Sequence, residues 1–503
     1  MTAMEPEAGY VGRPRPPIGT WLGGISLPQV VDPAPGRLVL WVLVGGIAFD
    51  VGIRGGVSNL VVGLGFWVLA AMLLADRRAR TVQARALLIA ALLPAAALGL
   101  RASPWLATSN LLAVVGLTGT AVVLARSGSI FDTTPGRLVR RTIPALGRAA
   151  LAPLVLRPLL PQLSGDRVRT SGRVLLALAL TVPVVGTLVA LLAAADPVFE
   201  GMVTPDVSAG PLAGHLVLVG FFAAGLLVAA ASAAGDSDDH LAAGQFGKLE
   251  VLTMLGGAAA VLGLFVVAQL VALTSAGDRL IHEAGLTPAE YARGGFFQLC
   301  WAAALVVTFL AVVGFLAAPD TRQATAVKAL SALVPTLAVG LVVVSLRRLA
   351  YYDDAFGLTM LRLWVVGAAI WMGAVLVMIA LRSLGVGGDR HWVLGGATVT
   401  ALALVLLADL ANPEAFVVHH NAAWAREDDD RELDLDYLRG LSDDAVPAMV
   451  DELGTAAFTA DADFFAYERD PMSCDDETTG VAALNWGVQQ AADARRASCP
   501  SVG

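Results

Sequence analysis

The chain has 503 residues, 56% of them hydrophobic and 15% charged, with a mean hydropathy of +0.70, which excludes an ordinary soluble globular protein. The net charge of -8 is uneven: the segment after Asn412 carries 20 acidic against 6 basic side chains and leaves the remainder mildly positive. No soluble part is broadly basic, so a nucleic-acid partner is excluded as well.

Residues 1–37 are rich in Pro and Gly and lack the apolar core of a cleavable signal, so they are expected to form a disordered cytoplasmic leader. Four apolar runs follow, at 38–53, 60–75, 87–100 and 106–124. After a basic segment at 126–173 come seven more, at 174–195, 212–233, 249–273, 296–316, 329–346, 360–381 and 392–410. About 20 helical residues cross a hydrocarbon core about 30 Å thick, so the fold class expected is an all-α polytopic membrane protein with about eleven transmembrane helices. Pro94, Pro183 and Pro335 interrupt runs without ending them.

Orientation follows from the cationic side chains of the short loops. Arg77, Arg78, Arg80 and Arg85 fall in one loop, and nine arginines from Arg126 to Arg173 in another. The two lysines, Lys248 and Lys328, open runs from that same side. Both loops are expected to be cytoplasmic, which puts the N-terminus inside, in the plasma membrane, and the acidic tail at 411–503 outside. In an oxidising compartment two cysteines of a small polar domain pair, so a disulfide is expected between Cys474 and Cys499, worth about 3 kcal/mol by chain entropy. Cys300, inside an apolar run, is expected to be a buried free thiol.

The tail reads as short helices. Phe416, His420 and Trp424 form one stripe suited to a membrane surface. Leu435, Leu438 and Leu441 have helical spacing, Ser442 is a candidate cap for a second helix, and a third helix is expected at 478–496.

Most polar chemistry is expected at the outer face. The stretch RRLAYYDDAFGLTMLR places Arg347, Arg348, Tyr351, Tyr352, Asp353, Asp354, Thr359 and Arg362 in what reads as a short surface loop between two long runs. A second outer segment carries Thr287 and Pro288 as a helix start, followed by Glu290, Tyr291 and Arg293. The tripeptide Gly-Leu-Thr occurs at 285–287 and again at 357–359, a weak pattern of repeated hairpins. An arginine near a helix N-terminus is opposed by the macrodipole, so Arg293 and Arg362 call for carboxylate partners such as Glu290, Asp353 and Asp354. The cluster has two readings, an ion-paired clasp that orients helices or a site for an anionic ligand held by the arginine forks. His215, His282, His419 and His420, with Asp50, Asp196 and Asp409, collect on the same side, but no ligand spacing points to a metal or other cofactor. Within the runs the notable polar groups are Asn110, Gln269 and Gln298.

The blocks EYARGGFFQL, RRLAYYDDAFGLTMLRLW, Asn412-Pro413 with Asn421, LDLDYLRGLSDDAVPAM and LNWGVQQAADAR, over 185–495, resemble the bacterial multi-spanning proteins of DUF4173 and its relative DUF4153. The resemblance implies an envelope location and brings no activity or catalytic residues. Two function classes follow. One is a non-enzymatic membrane protein that binds, transports or senses a cell-envelope component, its partners being membrane lipids, among them an anionic envelope lipid or precursor. The other is an outer-face enzyme on a lipid-linked substrate, similar to polyprenyl-phosphate glycosyltransferases, with Asp50 in the catalytic place. The first outer loop, 52–58, is far shorter than in those enzymes.

Overall fold

The computed structural model describes residues 37–139, 141–142, 246–272, 296–318, 320–388, 390–428, 431–454 and 480–498, together with individual positions between 215 and 230. Apart from one isolated parallel bridge between Phe246 and Ala317, the elements described are helical. They are α1 (Arg37–Arg54), α2 (Leu60–Ala75), α3 (Val82–Ala97), α4 (Pro104–Val123), α5 (Lys248–Ala272), α6 (Phe296–Leu316), α7 (Thr325–Phe356), α8 (Met360–Ser383) and α9 (Val393–Ala411). The tail adds α10 (Pro413–Arg426), α11 (Leu435–Arg439), α12 (Val446–Leu453) and α13 (Trp486–Ser498).

Five helices are long and apolar enough to cross a membrane: α4, α7, α8, α9 and the Lys248–Val267 part of α5. Helices α2 and α3 and the Ala302–Phe315 part of α6 are also apolar but shorter. The chain is thus an all-helical membrane protein through its described residues. The leader before Arg37, the run at 174–195, the first outer helix start with Glu290, Tyr291 and Arg293, and His282, Asp196, Cys474 and Cys499 lie outside the described residues, as does most of the basic segment.

Two bundles carry the apolar cores. In the first, α1 to α4 run back and forth around Leu38, Phe49, Met72, Leu73, Leu88 and Leu124, with Leu394 and Leu402 of α9 packed against them. In the second, α5 to α8 enclose Val251, Leu255, Ala303, Val334, Leu341 and Leu376. Helix α9 touches α3 and α4 on one side and α8 on the other, so it lies in the seam between the bundles. Short polar caps set the turns. Asn59 accepts from Val61 N and Val62 N to start α2 and donates to Gly52 O at 2.8 Å, closing the α1–α2 turn. Thr81 caps α3, Thr359 caps α8, and Asn412, in the left-handed region at φ 48°, caps α10 ahead of Pro413.

Two expectations are corrected, the loop at 347–356 and the unbroken third tail helix. The stretch from Arg347 to Phe356 is not loop but the last three turns of α7, because it holds no helix breaker; only Gly357, Leu358 and Thr359 form the turn into α8. At about 1.5 Å per residue this helix of 32 residues outruns a hydrocarbon core about 30 Å thick, long enough to cross it without burying its charged end. In α10 the packed face is Glu414, Val417, Val418 and Asn421, and on the less buried face Phe416 is half exposed and stacks on His420, as the four-residue spacing places them. The third tail helix is split: a 3-10 turn at Gly480–Ala483 ends before Asn485, and α13 starts at Trp486. Ser442 does act as a cap, of the 3-10 turn Asp443–Ala445 that leads into α12.

Gly357 ends α7 at φ 69°, where a side chain is disfavoured, and a Cβ there would meet Asn421 Oδ1 at 3.0 Å. Gly357→Ala is expected to lower stability by about 1–2 kcal/mol, read as a lower midpoint of thermal unfolding for the purified chain in detergent.

Candidate functional site

The Arg, Asp and Tyr cluster is built by the end of α7, the start of α8 and the face of α10 turned toward them. Asn421 pairs with the turn through both ends of its amide: Leu358 N donates to Oδ1 at 2.7 Å and Nδ2 donates to Leu358 O at 2.8 Å. Met360 N donates to the Tyr437 hydroxyl at 2.6 Å, and Trp424 Nε1 to Asp354 O at 2.9 Å. Among the described residues Arg362 has no carboxylate within ion-pair distance; its guanidinium donates to Gly357 O and lies over the Tyr352 ring at 4.1 Å. The helix dipole is answered by a carbonyl and a π face instead of an acid. Asp353 pairs with His420 at 3.2 Å, and its Oδ1 is buried without a partner among the described residues. Arg347 reaches the Tyr351 hydroxyl at 3.1 Å on the exposed side. Most of these groups are used in holding the α7–α8 turn to the tail.

A second polar network, which the sequence reading missed, joins the tail to the first bundle. Glu414, 1% exposed, accepts from Ser103 Oγ at 2.6 Å through one oxygen and from Ser442 N and Oγ at 2.8 and 2.6 Å through the other. Asp444 accepts from Ser103 N at 2.8 Å, and Asn412 donates to Asp444 O at 2.9 Å. The buried Asn485 donates to Ser58 O and Arg101 O, at 2.9 and 2.7 Å, while Trp486 N and Gly487 N bond to Gly99 O and Leu100 O. Arg495 forms a buried ion pair with Asp443. The signal in the sequence was polar residues set among small and apolar ones, in Asn412-Pro413-Glu414, Leu441-Ser442-Asp443-Asp444-Ala445 and Leu484-Asn485-Trp486. What each bonds to lies 28 to 427 positions away and has no local pattern.

Asp50 does not open onto the Arg347 cluster. It is 2% exposed, and its two oxygens are engaged by Arg54, at 3.0 Å, and by His215. His419 and His420 turn to different partners, Glu452 and Asp353. Among the described residues no three metal-ligating side chains converge. Asn110 donates to Asp409 Oδ1 at 2.8 Å, joining α4 to α9, and the Cys300 thiol lies 3.2 Å from Ser345 Oγ.

The seam between the bundles holds a cavity of about 1300 Å³. One face of α8 lines it from end to end, through Trp364, Ala368, Trp371, Val375, Ile379 and Arg382, with α4, α6 and α9 opposite. At the end away from the tail its wall carries Arg322, Lys328, Arg382 and His391, and among the described residues no acidic side chain lines it. Burial and the neighbouring Arg382, Arg137 and Arg322 together hold the His391 imidazole below its ordinary range, against Asp132 alone on the other side of the balance.

The helices and their buried end-of-helix networks define a multi-spanning, all-helical membrane protein whose polar chemistry is concentrated where helices end. Residues 86–452 match the sequence model of DUF4153, a domain of unknown function, and the chain belongs to that family. The match takes in both bundles from α3 onward and the tail almost to the end of α12, leaving α13 beyond it. No curated protein and no solved structure matches the chain.

Two outcomes follow from the networks. Asn421→Ala leaves Leu358 N–H and C=O buried without partners and is expected to cost about 2–4 kcal/mol, with early proteolytic release of the tail; Arg347→Ala, on the exposed side, is expected to change stability by less than about 0.5 kcal/mol. Burial pushes the Asp444 carboxyl from 3.8 up to about 6. An acid whose pKa is raised by folding stabilises the fold below its unfolded value, and that contribution is lost as pH rises through the folded value. Thermal stability is therefore expected to fall between pH 4 and pH 6, and Asp444→Asn to flatten that part of the profile.

Proposed function

We propose that the chain is a non-enzymatic protein of the cell-envelope membrane that binds and moves or senses an amphiphilic envelope component in the seam between its two bundles. The outer cluster and the tail then act as the clasp that keeps one end of that seam closed. One observation carries the reading: the tail is bonded to both bundles at the same end, through Asn485, Glu414 and Asp444 to the turns around α3 and α4 and through Asn421 and Tyr437 to the α7–α8 turn, with the cavity lying between them. Two bundles pinned at one end and separated by a cavity suit rocking about the pinned end.

The full arrangement in this proposal has eleven spans, a cytoplasmic N-terminus, an extracytoplasmic tail stapled by Cys474 and Cys499, and membership of the DUF4173 branch. Loop charges support the orientation, and the RRLAYYDDAFGLTMLRLW block supports the branch. The alternative of an outer-face enzyme on a lipid-linked substrate gains nothing from Asp50, whose carboxylate is already engaged on both sides.

The test is a pair of distance distributions by electron-spin resonance on the full chain in nanodiscs. Labels on exposed Val139 and Leu384 report the basic end, and labels on exposed Trp105 and Leu361 report the tail end. A broad distribution at the basic end that narrows with added envelope lipid, beside a narrow one at the tail end, is expected. Narrow, lipid-insensitive distributions at both ends would end the rocking account.

A further inference from the structure

We infer that the seam cavity is a binding site for an anionic phospholipid, with its phosphate held by Arg322, Lys328 and Arg382 and its acyl chains laid along α8 toward Trp364. This deepens the reading above and rests on it, by naming the class of ligand and the direction in which it lies.

Size is the first argument. A cavity of about 1300 Å³ exceeds the roughly 300–1,000 Å³ of sites for drug-sized ligands. The lining residues of α8 recur every three or four positions from Trp364 to Arg382, and at about 1.5 Å per residue that stripe is about 27 Å long. Such a length matches the hydrocarbon thickness of a bilayer, about 30 Å. The space is therefore long and lined mainly by Val, Leu, Ile, Ala and Trp, a shape suited to chains and not to a compact polar solute.

Charge is the second. The cavity wall is ionic only at the end remote from the tail, and there it is cationic throughout. Arg322 is oriented by a bond from its Nε to Ala317 O at 2.9 Å. Arg382 Nε is buried and has no hydrogen-bond partner among the described residues, which is costly for a guanidinium and points to an acceptor supplied from outside the chain. Trp364 Nε1, near the other end of the same stripe, is likewise buried and unpartnered. His391 at this end faces Arg382 of α8, Arg137 and Asp132 after α4, and Arg322 of the turn before α7, and burial first, then these arginines, hold its imidazole below the ordinary range. A phosphodiester is the membrane anion that answers several cations at once, since its oxygens accept from more than one guanidinium or ammonium group.

The contrast with the tail end sharpens the assignment. There, acids and bases occur together and bond to one another or to backbone, as with Asp353 and His420 or Arg495 and Asp443. At the basic end the cavity wall carries Arg322, Lys328 and Arg382 and, among the described residues, no Asp or Glu.

The experiment is native mass spectrometry of the delipidated full chain in detergent, titrated with phosphatidylglycerol and phosphatidylcholine of identical acyl chains. Phosphatidylglycerol is expected to be retained roughly tenfold more strongly, the scale of a basic cluster acting on an anionic headgroup. Lys328→Gln with Arg382→Gln is expected to bring the two lipids level, and Arg382→Lys to restore the preference, with the thermal unfolding midpoint recorded for each variant. Gly116→Trp with Gly314→Trp, at two lining glycines where an added Cβ meets nothing within 4 Å, is expected to abolish retention of both lipids. Equal retention of the two lipids by the unaltered chain would overturn the headgroup assignment and leave the seam reading standing. Retention unaffected by the tryptophans would overturn the seam itself. Displacement of phosphatidylglycerol by millimolar inorganic phosphate, with no loss of phosphatidylcholine, would overturn the phospholipid in favour of a soluble anion.

Discussion

The structure depends on side-chain amides and carboxylates that bond to the backbone of turns. A turn between two apolar helices leaves N–H and C=O groups without intrahelical partners, and near a membrane the loss of water makes each such group costly. Asn421 answers this at the α7–α8 turn with a donor and an acceptor in one plane, and Asn485 answers it at the α1–α2 and α3–α4 turns with one amide nitrogen placed near three carbonyls. Because these residues belong to the tail, the turns and the tail hold one another in place. Neither part completes its hydrogen bonds alone.

From that constraint follows the unequal treatment of the two ends of the molecule. At the tail end, Leu358 and Met360 of the turn enter the same apolar core as Val417, Val418, Leu438 and Met449, so burial and hydrogen bonding act together. Glu414 illustrates the economy: one buried carboxylate takes three donors from Ser103 and Ser442, in the bundle and in the tail. Away from the tail the two bundles meet mainly along α9, whose faces touch α3 and α4 on one side and α8 on the other, and the cavity opens beside it.

Much of the helical framework was legible in the sequence, because long apolar runs have one structural meaning in a chain of this composition. The apolar runs that fall in the described residues each correspond to a helix, and Ser442 was readable as a cap by its residue type, whereas the caps Thr359 and Asn412 were not read as starts. The continuation of α7 through Arg347 to Phe356 was not read, since charge was taken for loop when the true stop signal was Gly357. The partners of Arg362 were missed for a related reason: opposite charge is the obvious partner for a guanidinium, yet a carbonyl one turn back and an aromatic ring served. The Glu414 and Asn485 networks had no local signature at all, being defined by contacts between residues some 28 to 427 positions apart. The cavity, too, is a property of two bundles meeting and is written in no single segment.

The physical difference between the two ends bears on function more than the identity of any one residue. A carboxylate already bonded on both oxygens, such as Asp50 or Glu414, has little left to offer a substrate, and converting it to a catalytic base would mean breaking bonds that hold the fold. Stability and activity would compete for the same atoms. The Arg382 guanidinium is in the opposite position, since its buried Nε has no hydrogen-bond partner among the described residues. Groups that the fold does not consume are the ones free to recognise something else. In this chain they lie at the end of the seam away from the tail.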